Sequence, residues 1–397
     1  MGEEKKKHPR LILHDFLSLE ECKELEFVHK SSSTVGYRPN VFSTTLSHLI
    51  ATNCPHFIIP FVPIRERLKE KVEEFFGCEF ELFVEFTGLI SWTRGASIGW
   101  HSDDNRPYLK QRDFTAVCYL NSYAKDFKGG LFHFQEGEPR TVVPMAGNVA
   151  IYTADSCNVH SVDEIIEGER LTLTLWFSRD STHDEDAKLI SLLSEKMLYV
   201  ANNMPVLKLP ILASSNMYWF SLEPASDQQS GFDICCARIH VLGLDFYSSQ
   251  GKSMFSDFSE LLMKSLQLAW DNELFEQEFV NILHLLQVVQ FYCWKALELL
   301  NSDLEVKTGK VIQLSQSQKE NMSAMKSIIL EDHQLAEMVF SCANCNKDWR
   351  RSFNWAKFSA AVTAWEEYRL KLHKELVMSL PYWRIQGFIY SVPREGT

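Results

Sequence analysis

His101 and Asp103 stand two positions apart in the stretch Gly99-Trp100-His101-Ser102-Asp103-Asp104. On a strand, residues i and i+2 point to the same side, so an imidazole and a carboxylate so spaced can converge on one ion. His160 follows far enough along for several antiparallel strands to intervene and for a later one to return beside the first. Two imidazoles and one carboxylate form a facial donor set suited to non-haem iron(II), with three coordination positions left open for a co-substrate and O2. Arg170 lies ten positions after His160. It heads an apolar strand across an expected turn at Glu167-Gly168-Glu169. A guanidinium deep in a β-fold needs a partner, and a dicarboxylic co-substrate would supply a bidentate carboxylate.

Singly these signals are weak. Most histidines are surface or satisfied core residues, and a single arginine is more often a structural ion pair. Their joint order, set among barrel-like strands, carries the expectation.

The elements that must position them read as follows. Residues 11–13 form a short strand, and a helix follows whose start is marked by Ser18 with Glu21 three later, a capping-box pattern. A second helix covers residues 64–76. Residues 83–92, 114–120, 131–134, 148–153 and 171–177 are rich in β-branched and aromatic types and read as strands. Turn-like Gly and Pro clusters separate them, among them Arg94-Gly95, Lys128-Gly129-Gly130, Glu136-Gly137-Glu138-Pro139 and Ala146-Gly147-Asn148. Many short strands at even spacing predict a barrel or jelly roll. After residue 180 the pattern turns helical, over 258–300, 315–340 and 355–376, with one or two strands at 234–247. The expected fold is α+β: a support region over 1–82, a double-stranded β-helix core over 83–180, and a mainly helical region over 181–397.

Composition bounds the function classes. The chain has 397 residues, 45% hydrophobic and 12% aromatic, enough apolar material for real cores. Lys+Arg number 40 against 52 Asp+Glu, a net charge of −12 that argues against a nucleic-acid partner. No apolar run is long enough for a spanning helix, so no membrane is expected. The start MGEEKKKHPR has no apolar stretch behind it, so no secretory leader is expected. The ten cysteines are scattered and read mostly as reduced thiols, which points to the cytosol or nucleus.

The segments GWHSDD, FTAVCYLNS, DFKGGLFHF, AGNVAIY and NVHSVDEIIEGERLTLTLWFSRD resemble the 2-oxoglutarate/Fe(II) oxygenases of the prolyl hydroxylase group, nearest the leprecan-like procollagen-proline 3-hydroxylases. The resemblance spans residues 83–180 and, more loosely, 9–82. It implies a double-stranded β-helix with iron on His101, Asp103 and His160. It implies Arg170 and Tyr119 on the distal carboxylate of 2-oxoglutarate, and Trp176 lining the same pocket. It also implies O2 as co-substrate, L-ascorbate, and a protein or peptide substrate hydroxylated at proline. An endoplasmic-reticulum location would follow from the family alone, whereas the chain's end, Arg-Glu-Gly-Thr, is no retention signal.

Two other function classes stand beside this one: an inactive oxygenase-fold scaffold whose helical region binds a protein, and a different metal barrel. A scaffold should show a broken triad or a missing arginine, and neither is seen. Barrels that anchor 2-oxoglutarate from another strand should lack the His160–Arg170 spacing. A dioxygenase with a non-prolyl substrate is also compatible. Asp104 reads as a turn residue, facing away from Asp103. Arg94 and the cations of loop 105–112 (Arg106, Lys110 and Arg112) read as solvated or as meeting an acidic substrate segment. Cys342 and Cys345 have zinc-knuckle spacing without a second pair, His333 or Cys235-Cys236 being the remaining candidates.

Overall fold

The computed structural model describes residues 8–32, 35–38, 40–51, 54–201 and 355–393, with residues 287, 290, 291, 294 and 295 between them. Twelve strands and five α-helices are described, with four short 3-10 helices between them. The strands are β1 (Arg10–Leu13), β2 (Val35–Arg38), β3 (Val41–Thr45), β4 (Phe83–Thr93), β5 (Ile98–His101), β6 (Phe114–Tyr119), β7 (Phe127–Gly129), β8 (Phe132–Phe134), β9 (Thr141–Val142), β10 (Val149–Thr153), β11 (His160–Val162) and β12 (Ile165–Ser178). The helices are α1 (Leu19–Lys30), α2 (Leu46–Ala51), α3 (Val62–Phe76), α4 (Glu185–Ala201) and α5 (Trp355–Gln386).

The strands form two antiparallel sheets. The larger has the order β1-β10-β6-β12-β4-β3-β2, with β7 also pairing with β12, and the smaller has the order β5-β11-β8-β9. The sheets face each other across an apolar layer. Val117, Tyr119, Ala150 and Tyr152 from the larger meet Phe132, Phe134, Val142 and Val162 from the smaller. This is a sandwich of the jelly-roll type.

Strand alternation builds the layers. On β12, Leu171, Leu173, Leu175 and Phe177 point to the core shared with the helices. Arg170, Thr172, Thr174 and Trp176 line a cavity on the opposite side. Cys22, Leu25 and Val28 of α1 and Leu68 and Val72 of α3 cover the apolar side. Ser18 Oγ accepts from Glu21 N at 3.1 Å, and Glu21 Oε2 accepts from Ser18 N at 2.8 Å. Such a cap contributes about 1 kcal/mol. Behind α1, Phe27 stacks on Trp294 at 5.2 Å and Tyr368 Oη donates to Glu24 Oε1 at 2.7 Å, which ties α5 to this layer.

Several expectations change. The predicted turn at Glu167-Gly168-Glu169 is part of β12, which runs through it while pairing with β7. Gly168 takes φ +80°, so the chain bends without reversing, and a Cβ there would lie 2.4 Å from the Asp126 carbonyl oxygen. Lys128-Gly129 belongs to β7 for the same reason of pairing. The first helix runs on to Lys30, and β2 and β3 extend the larger sheet past β4 although nothing in their own pattern announced them. Of the helical C-terminal expectation, α4 and α5 are described; residues 234–247, 315–340 and most of 258–300 lie outside the described residues, as do His333, Cys235, Cys236, Cys342 and Cys345. No described helix is long and apolar enough to cross a membrane.

Candidate metal centre and co-substrate pocket

β5 and β11 are neighbours, and their register sets His160 directly opposite His101. The ring centroids are 4.3 Å apart. β5 carries one residue more than β11 between the paired positions, so it bulges at Gly99-Trp100 and turns both Ile98 and His101 toward the cavity.

Asp103 is not on the strand. β5 ends at His101, and Asp103 sits in the following turn, so chain reversal and not the pleat brings its carboxylate round. Asp103 Oδ1 lies 3.9 Å from His101 Nε2 and 3.7 Å from His160 Nε2. The donor atoms of the three residues all lie within 4.8 Å of one another.

Both rings are oriented by their second nitrogen. His101 Nδ1 lies 2.8 Å from the Gly99 carbonyl oxygen and His160 Nδ1 lies 2.9 Å from that of Asn158. A carbonyl only accepts, so each Nδ1 carries the proton and each Nε2 lone pair is left for a metal. Asp103 Oδ2 accepts from Thr115 Oγ1 at 2.6 Å and from Tyr152 Oη at 3.2 Å, which leaves Oδ1 toward the histidines. Burial pushes the His160 pKa down to about 4 against the pull of Asp103, so the ring is neutral. Burial raises the Asp103 carboxyl, but His160, His101 and the Thr115 hydroxyl outweigh it, and its pKa lies below the ordinary value.

The triad opens into a cavity of about 480 Å³ whose wall includes Trp92, Val117, Tyr152, Arg170 and Trp176. Arg170 is 2% exposed, and among the described residues no carboxylate pairs with it. Its Nε has no hydrogen-bond partner among the described residues, while the guanidinium faces the Tyr119 phenol, its carbon 5.3 Å from the ring centroid. Burial pushes the Tyr119 phenol up to about 12, with Arg170 opposing, so it is a neutral donor. A fully buried cation without a counter-anion costs several kcal/mol. The donor set fits a divalent transition metal, and a buried guanidinium with a phenol beside it and no carboxylate partner among the described residues fits a carboxylate.

Trp176 lines the same cavity at its other end. Six residues along β12 separate it from Arg170, about 20 Å of strand contour. Its register partner is Thr115, the residue that bonds Asp103. Arg112 stacks on the Trp176 ring at 3.5 Å and donates to Glu85 Oε2 at 2.7 Å. Thr115 and Tyr152 were not identified as site residues from sequence, and Arg112, read there as a solvated or substrate-facing loop cation, is instead buried against Trp176 and Glu85. The alternation along β6 and β10 was the available signal for the first two. Asp104 is a turn residue as expected, accepting from Ser102 Oγ at 2.8 Å and Lys110 Nζ at 2.7 Å.

Residues 87–178 match the family model described as the 2OG-Fe(II) oxygenase superfamily, and the chain carries a domain of that family. The family implies Fe(II), 2-oxoglutarate and O2. The chain is 31% identical over 128 residues to 2-oxoglutarate and iron-dependent oxygenase domain-containing protein 3 of Rattus norvegicus, covering 30% of this chain and 41% of that protein. It is 24% identical over 280 residues to Prolyl 3-hydroxylase 1 of Gallus gallus, covering 59% of this chain and 36% of that one. The matches thus span less than half the length of either relative. Among solved structures, a Pseudomonas putida prolyl-4-hydroxylase aligns with TM-score 0.34 and 17% identity, over 44% of this chain and 94% of that chain.

Proposed function

We propose that the chain is an Fe(II)- and 2-oxoglutarate-dependent dioxygenase that hydroxylates a protein side chain, with proline favoured. The observation that carries the reading is Arg170: a buried guanidinium with no carboxylate partner among the described residues, in the same cavity as three converging metal donors. In this reading His101 Nε2, Asp103 Oδ1 and His160 Nε2 hold the iron. Arg170 takes the distal carboxylate of 2-oxoglutarate with the Tyr119 hydroxyl beside it, and Trp176 flanks the metal end. The bound metal supplies the oxidative chemistry, in which 2-oxoglutarate is decarboxylated to succinate and CO2 and one oxygen atom enters a substrate C–H bond.

The chain's own residues bind, orient and exclude water. Thr115 and Tyr152 hold one Asp103 oxygen so that the other faces the metal position. Val117, Phe132 and Val162 give the cavity an apolar wall, and an apolar surround strengthens a charge pair such as the one on Arg170. No side chain needs to act as general base. Ascorbate, as reductant of the resting metal, belongs to the same reading. Residues 83–180 are the catalytic core, and residues 1–82 support it through β1 to β3 and the helices packed on the larger sheet. The prolyl preference rests on the similarity to Prolyl 3-hydroxylase 1.

The test is succinate release by the full chain with iron, ascorbate and a library of proline-containing peptides. Release above the peptide-free rate is expected. A chain that binds neither iron nor 2-oxoglutarate would end the reading.

A further inference from the structure

The exposed part of the cavity lining comes from one short segment: Asn105, Arg106 and Tyr108 are exposed, and every other lining residue is buried or half-buried. This rim is not a loose loop. Arg106 precedes Pro107 and is held extended, with φ −124° and ψ 152°, as a residue before proline must be. Pro107 opens a 3-10 turn, Leu109 is buried beneath it, and Leu109 N donates to the Arg106 carbonyl at 3.0 Å. The segment is therefore built to present two side chains outward: the guanidinium of Arg106, and the ring of Tyr108, 47% exposed.

Charge distinguishes Arg106 from its neighbours. Lys110 is neutralised by Asp104 at 2.7 Å, and Arg112 by Glu85 at 2.7 Å. No carboxylate among the described residues pairs with Arg106, and none lies among the exposed lining residues. In a chain of net charge −12, the mouth of the cavity carries a cation that no described carboxylate compensates. Deeper in, the formal charges of Fe(II), Asp103, 2-oxoglutarate and Arg170 cancel, so the loaded interior leaves the field at the mouth to Arg106.

We propose that this rim selects the substrate: an extended protein segment with an Asp or Glu within a few residues of the position delivered to the metal, its carboxylate on Arg106 and its apolar or prolyl face on Tyr108. Arg106 is a specificity-determining residue in this assignment, which rests on the dioxygenase reading for the identity of the cavity. Charge at an exposed rim acts on selection and encounter more than on chemistry. A rigid aromatic beside it provides contact area at low entropic cost.

The experiment uses the full chain with Mn(II) and 2-oxoglutarate and two matched pools of fluorescent proline-centred peptides. One pool has a fixed acidic residue in the flank, the other a fixed basic one. Wild type is expected to bind the acidic pool about tenfold tighter, with the ratio shrinking as salt is raised. Arg106→Glu should invert the order, and Arg106→Lys should preserve it. An inverted preference is not an outcome of misfolding. Equal binding of the two pools by wild type, an order unchanged in Arg106→Glu, or tighter binding of a single-stranded oligonucleotide than of the acidic pool overturns the proposal. Affinity for 2-oxoglutarate, measured on the same wild-type sample, separates the two readings. Its presence without peptide selection defeats the rim assignment alone. Arg106-dependent selection without it defeats the dioxygenase assignment alone.

Discussion

His101 and His160 are cross-strand partners in the smaller sheet, paired one to one in the β5–β11 register with their rings 4.3 Å apart. Each is locked by its Nδ1 on a backbone carbonyl two residues earlier in the chain. The two donors are thus placed by backbone pairing, and substituting one leaves the other in position. His101→Ala or His160→Ala should abolish measurable Mn(II) or Fe(II) binding by calorimetry, with an unchanged far-ultraviolet dichroism spectrum. Wild-type metal affinity in either variant would refute the ligand assignment.

Arg170→Ala should weaken 2-oxoglutarate binding to the metal-loaded chain by at least about tenfold, because it removes a charge-assisted pair in a dry pocket. Mn(II) affinity should be unchanged, since the guanidinium is no ligand. Arg170→Lys should fall between, offering a point charge without the planar fork. Arg170→Met, which deletes a buried cation with no counter-anion among the described residues, should leave the ligand-free protein at least as stable as wild type in thermal melts. Equal 2-oxoglutarate affinity in wild type and Arg170→Ala would reopen the choice among metal barrels.

The Asp103 carboxylate is held by two hydroxyls at unequal distances, Thr115 at 2.6 Å and Tyr152 at 3.2 Å. Outer partners of this kind typically change metal affinity by 10–100-fold. Thr115→Val should therefore cost more metal affinity than Tyr152→Phe, and the double variant more than either. A metal titration series reads this directly, and a reversed ranking would mean that Asp103 is oriented by something else.

His48 in α2 is fully buried, and burial pushes its pKa down to about 3, below the ordinary 6.5. The unfolded chain then binds a proton that the folded one refuses. This contribution is fully present above the ordinary value and is lost as pH falls from there toward about 3. His48→Asn keeps an acceptor for Thr45 N, which lies 3.3 Å from Nδ1 in the wild type. It should flatten the decline in unfolding free energy between about pH 6.5 and pH 4 by about 2–3 kcal/mol, measured by urea titration. An identical decline in both proteins would show that His48 is not the proton acceptor.

The side chains that converge on one cavity, His101, Asp103, His160 and Arg170, were legible in the sequence, because their types and chain order single them out whatever the backbone does. The start of α1 was legible from Ser18 and Glu21, and the alternation of β12 from Leu171 to Phe177, because capping and pleating are local and have fixed spacing. What remained hidden depends on pairing between distant segments. β11 has three residues and β5 four, too short for a periodic signal, so the register that sets His160 against His101 exists only in the folded sheet. Asp103 reaches the histidines by a turn, Thr115 and Tyr152 reach Asp103 from two other strands, and Gly168 bends a strand where local sequence indicated a reversal. The Arg112–Trp176 stack and the compensated charges of Lys110 and Arg112 belong to the same class. Which cation of loop 105–112 meets no carboxylate among the described residues was settled by tertiary structure, because only folding decides which carboxylate each one meets.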